Sequence, residues 1–142
     1  MTVTRWAACA VTLVVVGACS SDGGTNPQPQ PSPLSFATHV QSILTASCAT
    51  GGCHVAPGAA AGLDLSQGQA HGNVVNVASS QVAHLMLVEP NDPDSSYLMV
   101  KLLGEAGLIA GVPSQMPLGV PALRAGQIDT IAMWIDNGAP NN

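Results

Sequence analysis

Two cysteines and a histidine lie in one short stretch, Cys48–His54, which reads CATGGCH. Thiols and imidazoles bind metals and form covalent links, so this stretch constrains what the chain can fold around more than any other. The two glycines between the cysteines, Gly51 and Gly52, let the backbone bulge there without side-chain clashes. How the thiols are used depends on the compartment of the protein, which the beginning of the chain indicates.

Residues 1–18 are typical of a signal peptide. Arg5 gives a positive start, and the apolar run 6–16 is shorter than the ~20 residues that a membrane-spanning helix needs. The stretch 16–19 reads VGAC and resembles a bacterial lipobox, in which the cysteine becomes the lipidated N-terminus. We therefore expect export, with Cys19 as the lipidation site. An ordinary signal peptide cut near Ala18, or an uncleaved anchor, is the alternative.

Residues 19–33 are the predicted lipidated tether. Four prolines, two glycines and polar residues make up most of this segment and cannot bury a core, so we expect it to be flexible. The folded part then covers residues 34–142, a length that predicts a single domain. We expect a monomer, lipid-anchored on the periplasmic side of a bacterial membrane or at the cell surface.

The composition excludes some partners. The chain has 3 basic and 8 acidic residues, a formal net charge of -5, whereas surfaces that bind nucleic acid or anionic lipid are basic. Only 3% of the residues are aromatic, so few large side chains are available to build a core. Another large apolar body could fill the missing volume, although composition alone does not show which.

Three segments have the apolar periodicity of helices: 36–46, 95–103 and 124–137. Ser35 is the expected N-cap of the first segment, and Asp94 is that of the second. A further helix is possible at 80–88, and the valines between 74 and 77 could form a short strand that has no evident partner. The sequence therefore predicts an all-α fold with long loops, and wrapping a cofactor is one reason for such loops.

The thiols allow two interpretations that need no cofactor. Exported cysteines often pair, so Cys48 and Cys53 could form a local disulfide. They could also bind zinc together with His71 or His84. The zinc site is the weaker alternative, because Cys53 and His54 are adjacent and cannot easily chelate one ion together.

The CATGGCH stretch resembles the haem-attachment motif of c-type cytochromes, whose usual form is C-x-x-C-H. Here four residues separate the cysteines, which is a less common variant of the family. The resemblance implies that Cys48 and Cys53 form thioethers with the two vinyl groups of haem c. It also implies that His54 binds the iron.

The resemblance extends over most of residues 34–142 and implies a class I-like cytochrome c domain. In that family the first and last helices cross, which would place Phe36, Val40 and Ile43 against Ile131, Trp134 and Ile135. Arg124 departs from the family, which often has Ser or Thr at that cap. The segments that carry the likeness are 36–44, 62–65, 90–98, 116–117 and 134–140.

Met116 is the expected second iron ligand. It lies between Gly111-Val112-Pro113 and Pro117-Leu118-Gly119, a stiff loop that can direct a thioether at the iron. His71, in the flexible stretch 68–73, is the alternative. The remaining candidates are expected to fill the core or to lie at the surface: Met86, Met99, Met133, His39 and His84.

These expectations together describe a monohaem one-electron carrier, not an enzyme. Its partners would be redox proteins that are basic or neutral at the docking face, because this chain is acidic. Two alternatives stay open. One is a disulfide-stabilised lipoprotein that binds a partner without redox chemistry, and the other is a haem sensor or haem enzyme with an open iron site.

Overall fold

The computed structural model describes residues 34–105 and 115–142, and these form helices joined by long loops. A π-helical turn at Phe36–Val40 leads into α1 at Gln41–Ser47, followed by α2 at Ala70–Val74, α3 at Tyr97–Leu103 and α4 at Ala125–Asp136. These two segments contain isolated β-bridges but no extended strand, so the predicted all-α class is confirmed. None of their helices has the length and apolar character needed to cross a bilayer.

Several predictions fall on residues outside the described segments. These are the signal peptide at 1–18, the lipidation site Cys19, the tether, and residues 111–113 of the loop that contains Met116. They stay predictions from the sequence.

The first and last predicted helices are confirmed, and so is the predicted N-cap of the first helix. Ser35 is the N-cap of the first, where its Oγ accepts a hydrogen bond from the Thr38 N–H at 3.3 Å. At α4 the N-cap is Arg124, which cannot accept such a bond. Instead the Gln127 side chain accepts from the Arg124 backbone N–H at 3.1 Å, so this helix begins at a defined residue despite the missing Ser or Thr.

The second predicted helix begins later than expected. Its N-cap is Ser96, and the prediction that Asp94 caps it is wrong. The carboxylate of Asp92 accepts from the Ser95 N–H at 2.9 Å, which holds this segment in a turn before α3 starts. Gly104, with φ at 79°, ends the helix in the left-handed region that favours glycine.

The predictions for residues 68–88 are wrong in two respects. No helix forms at 80–88; instead this segment pairs with the valine stretch, through bridges from Val75 to Val88 and from Ala78 to Met86. The flexible stretch predicted at 68–73 overlaps α2. Both differences have one cause, since Val74 and Val88 are almost completely buried and local periodicity does not reveal which distant residues will cover them.

The predicted contact between the first and last helices is present in the core. The Phe36 ring lies 5.1 Å from the indole of Trp134, and Val40, Ile131 and Ile135 are fully buried in the same cluster. The two ends of the domain are also joined, because the Asn142 side chain accepts from the Phe36 N–H at 2.8 Å. This packing gives the loops between the helices a rigid base.

Truncating the core indole should therefore be costly. Trp134→Ala should lower the free energy of unfolding by about 3–5 kcal/mol, since it removes a fully buried aromatic side chain. The adjacent Met133 is 53% exposed, and Met133→Ala should change that free energy by no more than about 0.5 kcal/mol. Urea unfolding followed by circular dichroism measures both. Equal effects of the two substitutions would contradict the packing described here.

Candidate functional site

A cavity of about 530 Å³ lies beside the cysteine-histidine segment. This volume is in the range of cofactor and small-molecule sites. Residues from the end of α1, the Ala60–Gly62 turn, α2, α3 and the Met116 loop all reach it. Its lining is largely apolar and includes Leu63, Leu65, Val74, Leu87, Leu98 and Leu102.

Cys48 contributes its thiol to this cavity. It is the C-cap of α1, and its N–H donates to the Leu44 carbonyl at 2.8 Å, so the helix determines its position. Burial raises the pKa of the Cys48 thiol to about 11, with a smaller contribution from the nearby charge of Cys53. The thiol is therefore protonated at neutral pH.

Cys53 has a different environment from Cys48. It is exposed and does not line the cavity, and the two thiols are unpaired, so the disulfide interpretation is not realised in this structure. The loop between them is closed by a hydrogen bond from the His54 N–H to the Cys48 carbonyl at 3.0 Å. Gly52 has φ at 81°, a conformation that side chains other than glycine rarely adopt.

His54 lines the cavity and is held from one side by the segment 63–65. Its Nδ1 lies 3.2 Å from the Leu63 carbonyl, and its own carbonyl accepts from the Leu65 N–H at 2.9 Å. In the tautomer that donates from Nδ1, the Nε2 atom keeps its lone pair. This is the usual arrangement of a metal-binding histidine, in which a backbone carbonyl orients the ring.

Met116 lines the same cavity from a different loop. Its N–H donates to the Lys101 carbonyl at 2.9 Å, and the neighbouring Gln115 side chain donates to the Leu102 carbonyl at 2.9 Å. These two bonds attach the loop to the end of α3. The structure therefore brings Met116 to the same cavity as Cys48 and His54, although Met116 lies more than 60 residues further along the sequence.

The alternative ligand His71 lies elsewhere. Its Nε2 is 2.9 Å from the Ala139 carbonyl, and its ring packs edge-on against Phe36 at 5.0 Å. His71 does not line the cavity, and this packing role explains its position.

The other methionines and histidines of residues 34–105 and 115–142 also lie outside the cavity lining. Met99 is buried in the core as expected, whereas the prediction that Met133 fills the core is wrong because its side chain is half exposed. His39 bonds to the backbone of Ser35, and His84 is exposed.

Across residues 34–105 and 115–142, no three His, Cys, Asp or Glu side chains gather as a zinc site would require.

Sequence reasoning did not assign two polar residues of the cavity, Lys101 and Tyr97. Burial lowers the pKa of the Lys101 ammonium and raises that of the Tyr97 phenol. The Tyr97 hydroxyl donates to the Gln81 side chain at 2.7 Å. The sequence contains one indication that Lys101 is special, since a lysine is unusual in the otherwise apolar segment Tyr97–Leu103.

Comparison with protein-family models, with curated proteins and with solved structures gave no match to this chain. The cavity and the residues around it are therefore the features from which its function can be inferred.

Proposed function

We propose that this chain is an exported, lipid-anchored monohaem c-type cytochrome that carries single electrons. The main observation that supports the proposal is that Cys48, His54 and Met116 all line one apolar cavity. They are a thioether-forming thiol, an oriented imidazole and a thioether ligand, which are three of the four groups that a His/Met haem c site needs.

The chemical character of the residues that line the cavity suits a porphyrin. The ring is a large apolar body, and the leucine-rich lining would cover it and exclude water. His54 and Met116 would hold the iron, and the bound iron would supply one-electron oxidation and reduction. Cys53 is the residue that fits least, because it lies outside the lining. Its link to a vinyl group would require the loop at 49–53 to move inward, which Gly51 and Gly52 permit.

The carrier role follows from the same ligands. With His54 and Met116 both bound, no coordination position would remain for a substrate, so we propose electron transfer without turnover. The acidic surface would favour partners that are basic or neutral near their own redox centre. Electron exchange with such a partner should slow as ionic strength rises, which stopped-flow measurements would show.

The test is expression of the full chain in a host with cytochrome c maturation machinery. We expect a haem spectrum whose chromophore stays with the chain in denaturing gels. A protein without covalent haem would contradict the proposal and favour the lipoprotein that binds a partner without redox chemistry. A stable ferrous complex with nitric oxide, or sustained peroxide reduction, would favour a sensor or an enzyme instead.

The proposed membrane attachment through Cys19 can be tested separately from haem binding. Cys19→Ala should move the protein from the membrane fraction to the soluble fraction, because the lipid on Cys19 is the proposed anchor. Cys9→Ala, within the predicted signal peptide, is the matched control and should leave the protein in the membrane fraction. Immunoblots of the two fractions and mass spectrometry of the mature N-terminus measure this. An unmodified N-terminus at another residue would contradict it.

A further inference from the structure

Lys101 is the only lysine of the chain, and its side chain is only 6% exposed. Lysine is rarely buried, because removing an ammonium group from water is costly. Lys101 places such an ammonium group at the wall of the cavity.

The charge of the cavity differs from that of the molecule. Among the described residues of the lining, Lys101 carries a positive charge and none is Asp or Glu, whereas the chain as a whole has a net charge of -5. Charges interact more strongly in an apolar cavity than in water, because the local dielectric constant is lower. The cavity therefore favours a ligand that carries an anionic group.

Further polar groups lie near this cation. Tyr97 is four residues before Lys101 in α3, so the two side chains project from the same face of the helix, and both line the cavity. Gln81, which accepts the hydrogen bond from Tyr97, lines it as well, as do Ser79 and Ser80. The apolar cavity thus has a polar side that includes α3.

We propose that Lys101 binds a carboxylate of the ligand in this cavity, with Tyr97 beside it on the same helix face. This inference rests on the proposed function, under which the carboxylates are the haem propionates. The Lys101 contact would determine the orientation of the porphyrin ring in the cavity, and therefore which vinyl group lies next to Cys48.

Metal-free porphyrins test this contact without relying on iron ligation. The full chain, produced without haem attachment, is titrated with protoporphyrin IX and with its dimethyl ester, both delivered from the same detergent, and binding is followed by porphyrin fluorescence. We expect the wild type to prefer the free acid. Lys101→Met should weaken binding of the free acid about tenfold or more, as expected for loss of a hydrogen bond between charged groups, and should leave the ester unaffected.

Two further variants separate charge at this site from charge in general. Arg124→Met removes the same charge from an exposed N-cap outside the cavity lining and should not change either affinity. Lys101→Arg keeps the charge and should retain most of the preference. Circular dichroism of each variant shows whether it is folded.

The outcomes are distinguishable. Equal affinity of the wild type for the acid and the ester would overturn the role of Lys101 without any variant being needed, and would leave the proposed cytochrome function intact. Equal weakening of both porphyrins by Lys101→Met would also overturn it, since that result indicates a role in shaping the cavity. Failure of the wild type to bind either porphyrin would overturn this inference, whereas the proposed function is decided separately by covalent haem in the matured protein.

Discussion

Replacing Cys48 and Cys53 together with alanine should leave the matured protein with no covalently bound haem. Each thiol is proposed to form one thioether, so the double variant has no remaining link to the ring. Any haem that it retains through His54 and Met116 should be lost in a denaturing gel. Haem staining of the gel and the mass of the intact protein measure the loss.

The single variants should differ, because the structure places the two thiols differently. Cys48 already lines the cavity, whereas Cys53 is exposed and must be carried inward by its loop. We expect Cys48→Ala to reduce the yield of covalent haem more than Cys53→Ala does. Each single variant should also leave one vinyl group unreacted, which shifts the absorption of the haem to longer wavelength.

Cys9→Ala is the matched control for these variants, since it removes a thiol from the predicted signal peptide. It should leave the haem content unchanged. Covalent haem at the wild-type level in the double variant would show that attachment occurs elsewhere, and the proposed site would then be wrong.

Replacing Met116 with alanine should remove one of the two protein ligands that we propose for the iron. The ferric protein should lose the weak charge-transfer band of sulfur-to-iron ligation and should bind cyanide more readily. The reduction potential should fall by roughly 0.1 V or more, a part of the ~0.8 V range that axial ligands span. The physical reason is that a thioether stabilises ferrous iron more than ferric iron.

Met133→Ala is the control, because Met133 is exposed on α4 and does not line the cavity. Its spectrum and potential should match those of the wild type. An unchanged spectrum in Met116→Ala, with the change appearing in His71→Ala, would transfer the assignment to His71. The structure argues against that result, since the Nε2 of His71 lies 2.9 Å from the Ala139 carbonyl.

Much of the helical framework was predictable from local patterns. The apolar positions of the first and last helices repeat at helical spacing, and the Ser35 cap uses a hydrogen bond to a residue only three positions away. The pairing of Phe36 with Trp134 was expected from the resemblance to class I cytochromes, and the structure contains it.

Interactions between distant residues decided the elements that were predicted incorrectly. The segment 80–88 is apolar enough for a helix, but its backbone pairs with the valine stretch, with the Leu87 N–H donating to the Val77 carbonyl at 2.7 Å. The exposure of Met133 likewise depends on which side of α4 faces the other helices. A single helix does not contain that information when its apolar residues cover more than one side.

The sequence by itself identified Cys48, His54 and Met116 as chemically capable residues, because the motif and the loop around the methionine are local features. Whether they meet was decided only by the tertiary structure, through the hydrogen bonds that attach the Met116 loop to α3 and the His54 ring to Leu63. The burial of Lys101 was decided in the same way. A side chain becomes part of a site when other elements remove it from water, and those elements lie far away in the chain.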